Sequence, residues 1–69
     1  MAYNHGNDLV SIQYDELIDS RETDKAYLFH IDDEEVWLPK SQVEDIRETE
    51  NVVCIPLWLA KKKGLNYYA

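Results

Sequence analysis

The sequence predicts an α+β fold: a small antiparallel β-sheet of three to five strands carrying a short C-terminal helix. Three observations predict it. Residues 25–31 (KAYLFHI) and 34–40 (EEVWLPK) are strand-like runs on either side of Asp32-Asp33, the pattern of a β-hairpin. Val52-Val53-Cys54-Ile55 is a further compact apolar run, set off by the turn residues Thr49-Glu50-Asn51. Pro56 and Gly64 bracket LWLAKKK, a proline start and a glycine stop for a helix of about two turns. Barrel-like closure of the sheet, and a helix near the N-terminus, are alternatives that the pattern leaves open.

Taken in order, residues 1–7 are a polar lead-in. Over residues 8–20 two periods compete. Val10, Ile12 and Tyr14 alternate as in a strand, whereas Val10, Tyr14, Leu17 and Ile18 fit one helical face with Asn7 as its N-cap. The preferred reading is a strand followed by an irregular turn. Residues 20–24 are a polar connector.

The hairpin register then follows from its loop. A two-residue loop pairs Ile31 with Glu34, and therefore Phe29 with Val36 and Tyr27 with Leu38. Tyr27, Phe29, Ile31, Val36 and Leu38 fall on one face, the expected core face. Leu28 with Trp37, and His30 with Glu35, fall on a mixed face that is expected to be only partly covered. Pro39 ends the second strand because it has no N–H for the ladder.

Residues 39–43 read as a tight turn of 3₁₀ type, or Ser41 and Glu44 as the capping box of a short helix. Ile46 marks a short strand. A two-turn helix does not stand alone, so Leu57, Trp58, Leu59 and Ala60 must dock it on the sheet. Lys61, Lys62 and Lys63 fill its last turn, where the helix dipole favours cations. Residues 65–69 form a tail. The 69 residues make one domain, 1–69, small enough to bury only about 60% of its unfolded surface.

There are 14 acidic and 7 basic side chains, a net charge of −7. Three of the cations are Lys61–Lys63, so residues 1–60 hold 14 acids against four bases. Such a field repels nucleic acid and anionic membranes and favours basic partners. Cys54 is the only cysteine, which rules out a disulfide within the chain and fits the cytoplasm. MAYNHGNDLV lacks the basic and apolar regions of a signal peptide, and no apolar run is long enough to span a bilayer.

The residue types needed for catalysis are sparse. Gly6 and Gly64 are the only glycines, so there is no P-loop and no dinucleotide fingerprint. His5, His30 and Cys54 show no metal-ligand spacing, and no metal or cofactor is expected. His30 beside Glu35 reads as a cross-strand polar pair, and Cys54 within VVCI as a buried structural thiol. Adjacent acids such as Asp15-Glu16 point to opposite faces of a strand, unlike the facing carboxylates of a glycosidase. No enzymatic activity is expected.

Glu22 to Leu65 resembles a group of small bacteriophage and prophage accessory proteins. The resemblance lies in ETDKAYLFHIDDEEVWLPKSQV and IPLWLAKKKGL, and the span from Glu22 to Leu65 that holds them is about two-thirds of the chain. Asp33 departs from that pattern, which has glycine in the turn. Trp37-Leu38-Pro39, a tight turn and Val43 are also similar to the end of a small SH3-like barrel. The phage resemblance implies an accessory role and brings no chemistry with it.

The acids form two groups along the chain, either a solvated surface or a contact surface. Glu22, Asp24, Asp32, Asp33, Glu34 and Glu35 lie around the hairpin, and Glu44, Asp45, Glu48 and Glu50 follow it. Together with the resemblance, they suggest a protein that acts by contact. The expected role is an anti-CRISPR-like inhibitor occupying a basic nucleic-acid-binding surface of a host protein or nucleoprotein complex. It would be a monomer or a weak homodimer formed through an open sheet edge. The alternative is a single-stranded nucleic-acid binder that stacks bases on Trp37, Tyr67 and Tyr68.

Overall fold

The computed structural model describes residues 8–67. The lead-in with His5 and the Asn7 cap, and Tyr68 in the tail, lie outside the described residues. The fold is α+β, with two three-stranded antiparallel sheets and one C-terminal helix. Among the described residues there is no closed barrel.

Residues 8–20 settle as strand. β1 (Leu9–Gln13) buries Val10 and Ile12 and turns Gln13 outward, as alternating β-branched residues do. The chain then changes sheets within two residues. The Tyr14 N–H donates to the Asn51 carbonyl at 2.9 Å, and the next N–H, of Asp15, donates to the His30 carbonyl at 2.8 Å. These two amides join different sheets. β2 (Glu16–Leu17) follows, then a 3₁₀ turn at Asp19–Arg21. The helical alternative is not adopted, because Tyr14 and Leu17 serve different sheets instead of one helix face.

β3 (Ala26–Ile31) and β4 (Glu34–Pro39) pair in the expected register, with Ile31 opposite Glu34, Phe29 opposite Val36 and Tyr27 opposite Leu38. Asp32 (φ 51°) and Asp33 (φ 68°) are both left-handed, which a two-residue primed turn requires of its central residues. A 3₁₀ turn at Lys40–Gln42 follows Pro39. No capping box forms at Ser41 and Glu44: the Glu44 N–H donates to the Cys54 carbonyl at 2.9 Å and leads into β5 (Asp45–Arg47). β6 (Val52–Pro56) lies between β1 and β5, and the second sheet has the order β2-β3-β4.

Helix α1 (Leu57–Lys63) starts one residue later than the proline suggests, since Pro56 stays extended as the last residue of β6. Its end is a Schellman cap. Gly64 is left-handed at φ 70°, its N–H donates to the Lys61 carbonyl (3.1 Å), and the Leu65 N–H reaches the Ala60 carbonyl (2.9 Å).

The core lies between the inner faces of the sheets. β1 and β6 give Val10, Ile12, Val53 and Ile55; β3 and β4 give Phe29, Ile31, Val36 and Leu38; α1 adds Leu59 and Ala60. Tyr27 lies on the core face as expected and packs against the core from its margin, half-buried, with Lys40 Nζ 5.0 Å from its ring centroid. One expectation about the hairpin is corrected. Leu28, on the face expected to be partly covered, is 0% exposed, because the first 3₁₀ turn packs against β3 on that side. Its cross-strand neighbour Trp37 is 38% exposed.

Cys54 is half-buried instead of buried, with Sγ 3.8 Å from Ser11 Oγ across the β1–β6 ladder. Trp58, expected to help dock the helix, is 42% exposed, and Leu59 and Ala60 make the seal. Among the described residues, no helix is long and apolar enough to cross a membrane.

Candidate functional site

The ten acidic residues singled out from the sequence are all exposed. The hairpin group is split along its length. Glu22 and Asp24 stand at the open end, and Asp32 and Asp33 at the turn, separated by the six residues of β3, about 17 Å.

Four of the ten have a cation beside them. Glu22 pairs with Lys40, Glu35 with Arg21 (3.4 Å), and both Asp45 (3.0 Å) and Glu50 (4.0 Å) with Arg47. The hydrogen bond that Lys40 Nζ donates to Glu22 holds the ammonium above its ordinary pKa, with Asp24 adding to the effect. Exposed pairs of this kind contribute at most about 1 kcal/mol each. Among the described residues, Asp24, Asp32, Asp33, Glu34, Glu44 and Glu48 have no cation within 4.0 Å.

His30 does not pair with Glu35, although the two are opposite in the ladder. Its Nδ1 lies 3.5 Å from Asp15 Oδ2. The same Asp15 oxygen accepts the Asp32 N–H at 3.2 Å, and so ties the crossing between sheets to the hairpin turn.

That tie forms the floor of a seam where the two sheets meet. One hollow, about 310 Å³, is lined by Gln13, Tyr14, Asp15, Asp32, Asn51 and Asn66. A second, about 290 Å³, adjoins it through Tyr14, Asp15 and Asn51, and adds Glu16, Leu17, Asp19 and Glu48. Five carboxylates line the seam and no Lys or Arg does. Asp32 and Glu48, from separate groups in the sequence, are thereby brought to one groove.

Asp15, Glu16 and Asp19 were missed as site residues. A signal for them exists in the sequence. The apolar positions 10, 12 and 14 are even, and the next, Leu17, is odd; this slip of phase marks the crossing at 15–16.

Tyr14 is central to the seam. Its ring packs edge-on against Phe29 at 4.9 Å, and the residue is only 4% exposed. Burial, and then the charge of Glu48, push its hydroxyl above the ordinary value of 10.0. Among the described residues, no three His, Cys, Asp or Glu side chains are arranged to hold a metal ion.

No protein family matches the chain, and neither does any curated protein or solved structure.

Proposed function

We propose that this chain is a small acidic contact protein, a bacteriophage accessory factor of anti-CRISPR type. It acts in the host cytoplasm by occupying a basic, nucleic-acid-binding surface, without catalysis, as a monomer or weak homodimer. The observation that carries this reading is the set of exposed carboxylates without a neighbouring cation, running from the Asp32–Asp33 turn into the seam. Fixed negative charges on a rigid sheet present the kind of field that a phosphate backbone presents. The sequence resemblance over Glu22–Leu65 supplies the phage context.

Capture from host lysate across a salt series tests it. The expected result is a basic protein or nucleoprotein that elutes as salt rises and is displaced by duplex DNA. Binding that survives high salt, or that duplex DNA leaves intact, overturns the reading. Combined Asp32→Asn, Asp33→Asn, Glu34→Gln and Glu35→Gln substitution is expected to weaken capture at least tenfold, since rim charges act additively on steering and affinity.

A second reading has one observation in its favour. Trp58 is exposed on α1 three and four residues before Lys61 and Lys62, so an aromatic and two cations share one helix face. That combination suits a single-stranded nucleic acid. A gel shift with short oligonucleotides at low salt tests it, and no shift at tens of micromolar protein removes it.

A further inference from the structure

Tyr14 carries an inference beyond surface charge. A buried phenol normally finds a hydrogen-bond partner. Tyr14 is 4% exposed, its ring is fixed against Phe29, and among the described residues nothing bonds its hydroxyl. No side-chain oxygen or nitrogen that is wholly cut off from solvent lacks a partner, so the Tyr14 hydroxyl keeps some contact with solvent. Tyr14 lines both hollows of the seam, and Glu48, which lines the second, is the charge that acts on its hydroxyl.

Five carboxylates, which only accept, line the seam beside the amides of Gln13, Asn51 and Asn66, which both donate and accept. Asp15 holds the Asp32 N–H through Oδ2, and among the described residues nothing bonds its Oδ1. Asp32 receives only a long contact from the Asn66 amide, 3.5 Å. Asn51, left-handed at φ 56°, completes the wall. A guanidinium suits this set: it is planar, always charged, and directs five N–H donors outward in a fork. An ammonium has three donors and no plane.

We propose that the seam is a receptor for one arginine side chain of a basic protein partner, with Tyr14 Oη, Asp15 and Asp32 accepting its N–H groups. This rests on the contact role proposed above and gives it a specific anchor. Charge brings the partner in, and the seam selects arginine over lysine.

The test is a titration of the full chain, followed by amide NMR, with N-acetyl-arginine amide and N-acetyl-lysine amide. Arginine amide is expected to give saturable shifts at Tyr14, Asp15, Asp32 and Asn51 and at the Asn66 side-chain amide. Lysine amide should bind about fivefold more weakly. Tyr14→Phe keeps the ring on Phe29 and removes only the hydroxyl, and should weaken arginine binding about fivefold. Asp15→Asn, which keeps an acceptor for the Asp32 N–H, should weaken it further. Shifts that never saturate and follow Asp24, Asp33 and Glu44 equally overturn the receptor, as does unchanged binding by Tyr14→Phe. A DNA-displaced partner held as tightly by Tyr14→Phe as by the parent chain overturns the receptor and leaves the contact role standing. Arginine held in the seam of a chain that captures no basic partner supports the receptor and overturns the contact role.

Discussion

At the scale of single residues, three side chains show how position sets chemistry. Tyr14 has its hydroxyl raised above 10.0, by burial first and Glu48 second. A folded-state value above the unfolded one means that the neutral form is favoured by folding. Its contribution is therefore complete below about pH 10 and is lost as pH climbs through the raised value. Lys40, raised by Glu22, acts in the same direction. Thermal melts from pH 8 to about pH 11.5 are expected to show falling stability, and Tyr14→Phe should flatten that fall. Asp33 offers a second test. At φ 68° it holds a conformation that costs an L-residue roughly 1 kcal/mol and costs glycine nothing. Asp33→Gly also removes one of four successive carboxylates. It is expected to stabilise the fold by about 0.5–1 kcal/mol, read as a rise of a few degrees in Tm.

At the scale of elements, the outer face of the hairpin carries the informative case. Leu28 and Trp37 are ladder partners, yet one is wholly buried and the other is 38% exposed. The Ile18 N–H donates to the Leu28 carbonyl at 2.8 Å, and the 3₁₀ turn that follows packs against β3, the strand that carries Leu28. A half-covered leucine would lose little on truncation. Leu28→Ala is instead expected to cost about 2–4 kcal/mol, measured by urea unfolding, and a loss below about 1 kcal/mol would show the cover to be open. α1 follows the same logic in reverse. Seven residues do not make a stable helix alone, and only Leu59 and Ala60 are buried, so its order comes from docking and from the Gly64 cap.

At the scale of the molecule, charge is the dominant feature. With fourteen acids against seven bases the excess carboxylates repel one another in the folded chain, and the three successive lysines at the end of α1 do not line the acidic seam. Salt screens that repulsion over about 10 Å at 0.1 M. Raising sodium chloride from about 10 mM to about 0.5 M is expected to raise Tm by a few degrees, while the same change weakens capture of a basic partner. A protein stabilised by salt that loses its partner in salt separates the two roles of the same charges.

Much of this fold is legible from the chain. The hairpin register, the short strand at Ile46, the turn before Val52 and the Gly64 stop each depend on local chemistry: loop length, alternation, turn residues and a left-handed cap. The ten acids and the net charge are legible too, because composition needs no coordinates. The division into two sheets, the burial of Leu28 and the seam are different. They depend on where Tyr14 and Asp15 send consecutive N–H groups, to Asn51 and His30, partners 37 and 15 residues away. A sequence shows the phase slip at 15–16 but not the strands that receive it. So the chain by itself determined that this protein is an acidic α+β unit with a fixed hairpin. Only the tertiary structure decided which of its acids share a groove, because that is settled by long-range hydrogen bonds at the crossing between sheets and not by neighbours in the chain.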